Sequence, residues 1–265
     1  MLQFKGAYIM SRTSKELKRI ARENLTGHYN IPMGAFIVSS MITLAIELPF
    51  SMLQSEYSTT LQVIISYVAE ILISLIGIVL NAGLIRIHLN MARNREYTLS
   101  QLFDGFKKHP DRYLVAGFFL MLVTFLVTLP FFGAAYLFQK NPSTQSILIA
   151  IAVGLVCLFV VIYIQLRFQL VYYIILEHEE MGIKDSFTVA SGLMKDHMVR
   201  LFYIMLSFLG LEVLSILSFG IGMLWVAPYK MQTIANFYLD IIGELPERVP
   251  TQPIHPQPNY FNQYI

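Results

Sequence analysis

Three carboxylates, Glu47, Glu70 and Glu212, stand inside long apolar runs of a 265-residue chain. Placing a charge at the centre of a spanning helix costs on the order of 3 kcal/mol, so such groups are paired, neutralised or used. Two chemistries suit Glu70 and Glu212. If both face a shared interior, one can be protonated, as in a proton-linked transport site, and Asn81, Gln165 and Gln169 supply polar contacts nearer the inner face. If each is neutral and hydrogen-bonded between helices, the carboxyls only hold the fold together. Glu47 lies near enough to the end of its run to reach the headgroups.

Other reactive groupings point to less. Glu177-His178-Glu179-Glu180 resembles a metal site, but consecutive residues cannot all converge on one ion, and a solvated loop is the expectation. The single Cys157 excludes an intrachain disulfide and a thiolate metal cluster. The sequence carries no Gly-rich phosphate loop, no nucleophile elbow and no paired-histidine zinc helix. No cofactor and no catalytic activity are expected.

The elements that hold these residues follow from hydropathy. Hydrophobic residues make up 55% of the chain and charged ones 14%, against about 25% charged in soluble domains. About 20 apolar residues cross a bilayer, and six stretches qualify: 31–53, 61–84, 113–138, 146–176, 199–218 and 221–242. The fourth is overlong, and Pro228 should kink the sixth. The fold class is therefore all-α, a polytopic membrane bundle of about six spans. Lys140 is the only one of the 19 Lys and Arg residues that falls on one side of this arrangement. The others mark the cytoplasmic side, which receives both termini. A net charge of +2 is too small and too dispersed to suggest nucleic-acid binding. Residues 1–10 lack the apolar region and cleavage site of a signal peptide, so insertion is expected to use the first internal span.

Three cytoplasmic stripes have helical spacing. Leu17, Ile20, Ala21 and Leu25 follow a capping-box pattern at Thr13 and Glu16. Leu99, Leu102, Phe103 and Phe106 follow Thr98 and Gln101, and Ile183, Phe187, Ala190 and Met194 precede the fifth span. They are expected to lie in the membrane interface, or else to pack on the bundle as short helices. Each stripe is followed by a histidine, His28, His109 or His197, and then by two spans, which predicts three parallel helical-hairpin pseudo-repeats. Lys18, Arg19, Arg22, Lys107, Lys108, Arg112, Arg167, Tyr172 and Trp225 are candidate interface anchors, with Tyr173, Tyr229 and Tyr238 suited to the same aromatic belt. Ala150 and Gly154 are spaced for close helix approach. The chain divides into a cytoplasmic segment 1–30, a membrane domain 31–243 and a Pro-rich tail 244–265, expected to be disordered or polyproline-like.

From Gly83 onward the residues form a more specific pattern. Met91-Ala92-Arg93 is followed by Leu102-Phe103-Asp104-Gly105-Phe106-Lys107. Later come Ser191, Met194-Lys195, Leu201-Phe202 and Leu206-Ser207-Phe208-Leu209-Gly210, then Gly220-Ile221-Gly222, Leu224-Trp225, Pro228-Tyr229 and Ala235-Asn236-Phe237-Tyr238. This pattern resembles the bacterial integral-membrane family called domain of unknown function 975. The chain departs from it at Leu129-Pro130-Phe131-Phe132-Gly133, at Leu211, and at Glu212, where the family tends to be apolar. The resemblance implies a plasma-membrane protein of Gram-positive type and brings no activity with it. The function expected is non-enzymatic binding or scaffolding of membrane components, lipid or other membrane proteins. The alternative is a small-solute or ion transporter or channel using the intramembrane carboxylates.

Overall fold

The structure, a computed structural model, describes residues 12–52 and 59–245. Residues 1–10 and most of the Pro-rich tail lie outside the described residues. Among the described residues the chain is all helix and turn: α1 (Ser14–Leu25), α2 (Asn30–Ser51), α3 (Thr60–Ala92), a 3-10 turn (Leu99–Phe103), α4 (Asp104–Lys107), α5 (Pro110–Lys140), α6 (Thr144–Phe168), α7 (Val171–Glu177), α8 (Ile183–Met194), α9 (Met198–Leu217) and α10 (Met223–Ile241).

Among the described residues five segments are long and apolar enough to cross a membrane: α2, α3, α5, α6 continued by α7, and α9. The expected sixth, α10, has 19 residues, about 28 Å of helix. It is less apolar because Gln232, Thr233, Asn236 and Asp240 lie on it, and these residues are buried in protein rather than turned to lipid. The overlong fourth span is broken at Gln169 and Leu170, which separate α6 from α7.

Burial is concentrated at one end of the bundle. Along α3 the residues from Val79 to Ala92 are almost all buried, and on α10 every residue from Gln232 to Asp240 is. The opposite halves expose Leu61, Ile64 and Val68 on α3 and Val213, Leu214 and Ile216 on α9. In water such a surface would be a defect; in hydrocarbon it is the expected face of a spanning helix. The core therefore sits at the basic end, where α1, α3, α7, α9 and α10 meet.

The first amphipathic stripe forms as read. Thr13 N–H donates to Glu16 Oε2 at 3.0 Å and Glu16 N–H donates to Thr13 Oγ1 at 3.3 Å, closing the capping box. The Thr13 backbone and hydroxyl bonds hold the Glu16 carboxyl below the usual carboxylate range. The helix does not lie free in the interface, however. Leu17, Ile20, Ala21 and Leu25 are buried against α10, α9 and α3, so the stripe is a docking face.

The second stripe corrects the sequence reading. Thr98 makes no capping bond, and Gln101 Oε1 instead accepts from Asn90 Nδ2 of α3 at 3.1 Å. Two glycines explain why the segment is a tight turn pressed on α3. A Cβ on Gly83 would stand 2.0 Å from the Leu102 carbonyl oxygen, and one on Gly105 would stand 2.6 Å from that of Val79. Gly154 likewise lets α6 approach the Phe131 ring of α5. The third stripe is only half used: α8 buries Ser186, Ala190 and Met194 and leaves Ile183 and Phe187 partly open. His28 follows α1, while His109 and His197 are the residues that precede α5 and α9.

Candidate functional site

The C-terminal half of α10 carries polar groups at helical spacing into the core. Gln232, Asn236 and Asp240, four residues apart, lie on one face over about 12 Å. Gln232 Oε1 meets His88 Nδ1 of α3 at 2.8 Å, and Gln232 Nε2 donates to Asn236 Oδ1 at 3.4 Å, as does Asn24 Nδ2 of α1. With the Gln232 carbonyl accepting, His88 Nδ1 carries the proton and Nε2 keeps a lone pair. Both His88 and Asn236 are fully enclosed.

Ionic contacts close the two sides of this column. On one side Arg93, at the end of α3, makes a two-pronged contact with Glu177 at the end of α7 and reaches Glu244 Oε2 at 2.5 Å; Tyr238 OH donates to Glu177 Oε2 at 2.7 Å. Burial opposes the charge on Arg93, but Glu177 and Glu244 outweigh it and raise its pKa. On the other side Arg200 of α9 donates to Asp240 Oδ2 at 2.7 Å and to the Arg12 carbonyl at 3.1 Å, with its guanidinium 4.7 Å over the Phe237 ring. The Arg12 N–H meets Asp240 Oδ1 at 3.4 Å. The start of the described chain is thereby fastened to the end of its last helix. His197, one turn before Arg200, has its pKa lowered by partial burial and by Arg200, against the opposing pull of Asp196 and Asp240.

This arrangement is a clamp: six charged or phenolic side chains, Arg93, Glu177, Glu244, Tyr238, Arg200 and Asp240, pair with one another and tie α3, α7, α9 and α10, while Arg93 Nε and Arg200 Nε and Nη2 are buried with no hydrogen-bond partner among the described residues. A family model described as protein of unknown function (DUF975) matches residues 10–244. The chain belongs to this family. No curated protein and no solved structure matches it.

Several residues shared with the DUF975 pattern have a structural use in this member. Ala235-Asn236-Phe237-Tyr238 are all buried in the column and its walls. Gly220 takes the left-handed backbone, φ 84°, in the turn between α9 and α10, and a Cβ on Gly222 would stand 2.6 Å from Ser215 Oγ. Arg93 of Met91-Ala92-Arg93 is the hub of the ionic clamp.

The candidate carboxylates do not share one interior. Glu212 pairs with Lys230 of α10 at 2.6 Å, so it is half of an ion pair between neighbouring helices. Glu70 is exposed in a groove between α3 and α5, among Tyr67, Phe118 and Phe125. Asn81 is half-buried on α3, Gln165 is exposed on α6, and Gln169 sits in the break before α7. The structure does not gather them into one site.

The anchors divide in the same way. Lys18 Nζ donates to Ser207 Oγ at 3.0 Å beside the Phe208 ring, and Arg22 stands 5.9 Å from the Tyr229 ring, so both help to dock α1. Arg19 pairs with Glu23 along α1. Arg112 is buried and donates to the backbone carbonyls of His178, Glu179 and Met181, which makes it a loop clamp rather than a headgroup anchor. Lys107 is exposed, and Lys108 lies 3.6 Å from Glu179. Arg167 and Tyr172 are half-buried and Trp225 is exposed. Tyr173 and Tyr238 are core residues, their ring centroids 5.0 Å apart, and not members of an aromatic belt. Glu177 is the largest departure: it is no solvated loop residue, because α7 turns it inward to partners 84 and 61 residues away.

Proposed function

We propose that this protein is a multi-pass, non-enzymatic binding protein of the plasma membrane, with lipid and other membrane proteins as its partners, nucleic acid excluded and both ends in the cytoplasm. The observation that carries the reading is the ion-pair clamp at the basic end, whose carboxylates are already paired with arginines of the bundle. Glu177, Glu244 and Asp240 are taken by arginines of the bundle, while the helices away from that end expose large apolar side chains suited to hydrocarbon. The separation of Glu70 from Glu212 favours binding over a proton-linked carrier built on that pair. Contact between Arg12 and Asp240 supports an even number of crossings, with α10 as the sixth. The basic flanks and the resemblance to a Gram-positive-type family support the plasma membrane and the orientation.

Reconstitution tests the reading. Purified protein should retain lipid through exchange into fresh detergent, and proteoliposomes should show the same proton-linked solute flux as empty vesicles. A flux abolished by Glu70→Gln or Glu212→Gln, from a protein that keeps no lipid, would replace binding by transport.

A further inference from the structure

Helix α8 has two working faces. Ser186, Ala190 and Met194 are buried in the bundle. One step around, Ile183 and Phe187 form one wall of an open groove of about 470 Å³ whose other wall is Val115 and Phe119 of α5 and Phe168 of α6. The Phe187 ring meets Phe119 edge-on at 5.2 Å and Phe168 at 5.3 Å, which fixes the floor. The loop entering α8 is fixed too, because the Arg112 guanidinium holds the carbonyls of His178, Glu179 and Met181. The groove is thus preformed, and ordering it adds little to the cost of filling it.

Its chemistry is apolar with one charge. Lys184 is the charged residue of the lining and is exposed. The hydroxyls of Thr188 and Ser191 donate to the carbonyls of Lys184 and Thr188, so they have no proton left to offer a ligand. We propose that this groove holds an acyl chain of an anionic phospholipid, with the Lys184 ammonium on the phosphate. This deepens, and rests on, the binding function proposed above. Charge complementarity selects the occupant. The groove opens at the basic end of the molecule, beside the leaflet that carries anionic headgroups and attracts Lys and Arg. Its volume falls in the small-molecule range of roughly 300–1,000 Å³, whereas a partner helix about 10 Å across would overfill it.

The test exchanges full-length protein against mixed micelles of phosphatidylglycerol and phosphatidylcholine with matched chains and counts the lipid retained. Phosphatidylglycerol should be enriched about fivefold, the effect of one lysine near a charged surface. Lys184→Gln should bring the two lipids to near equality with total occupancy unchanged, and Lys184→Arg should keep the enrichment. Val115→Trp, at an exposed position on the wall, should lower both lipids together. Lys195→Gln, on the exposed end of α8 and outside the lining, should change nothing. Enrichment that survives Lys184→Gln, or that Lys195→Gln lowers as much, overturns the groove assignment and leaves lipid binding itself standing. Loss of both lipids from the unaltered protein overturns the two together.

Discussion

At the scale of single residues, the two acidic partners of Arg93 should differ sharply. Glu177 and Arg93 are both mostly enclosed, so Glu177→Gln leaves a mostly buried guanidinium with only the exposed Glu244 carboxylate and should cost about 3 kcal/mol. Glu244 is 54% exposed, and Glu244→Gln should stay within about 1 kcal/mol because solvent screens that arm of the pair. Melting temperatures in one detergent would show the contrast; equal losses would mean that the Arg93–Glu177 contact is not the stronger one. His197 sets a pH dependence. Its folded pKa is lowered from 6.5, so below that value the unfolded chain takes up the proton more readily. Stability should therefore fall as pH drops from about 6.5 through the depressed folded value, and His197→Asn should flatten that part of the curve. A curve unchanged by the substitution would remove His197 as its source. Little of this residue-level pairing was legible in the sequence. Glu177 stands in Glu-His-Glu-Glu, a string that reads as solvated, and the partners that draw it inward lie 84 and 61 residues away. Glu212 pairs with a lysine that charge counting had assigned to a cytoplasmic flank.

At the scale of elements, local patterns were readable where the partner was also local. The Thr13–Glu16 capping box involves groups three residues apart and forms as expected. Thr98 and Gln101 carry the same spacing, but long-range packing overrides it: the turn is pressed on α3 at Gly83, and Gln101 is taken by Asn90. That contact makes a sharp test. Gly83→Ala should overpack the α3 contact and cost about 1–3 kcal/mol. Gly77→Ala, on the same helix with nothing within 4 Å, should be neutral or mildly stabilising. Denaturation of the two variants side by side would decide it, and equal behaviour would show that the turn can move away.

At the scale of the whole molecule, hydropathy gave the all-helical bundle and five of its long helices because hydrocarbon imposes one length on every span. It gave α10 only in outline, since the C-terminal half of this helix, buried in protein from Gln232 to Asp240, carries polar residues that no lipid rule anticipates. Topology can be checked with introduced cysteines in a Cys157→Ala background. Position 141 should react with impermeant reagents from outside the cell, and positions 94 and 195 should not. Labelling at 94 in intact cells would reverse the assignment. Two further sites suggested by the charge pattern, 58 and 257, lie outside the described residues, and 186 is buried in the core and so unsuitable.

The enclosure of α10 also bears on how the protein is made. Synthesis runs from the amino terminus, so the helix that fills the centre of the basic end is the last described one to leave the ribosome. Until it arrives, Arg200 waits for the Asp240 carboxylate and His88 for the Gln232 amide. The earlier helices can enter the bilayer one by one, but the basic-end core that unites them forms only with α10. A nascent chain halted before residue 223 would be inserted yet unfinished, its polar groups open to the proteases that survey membranes, and the cell's decision to keep or discard the protein would turn on α10.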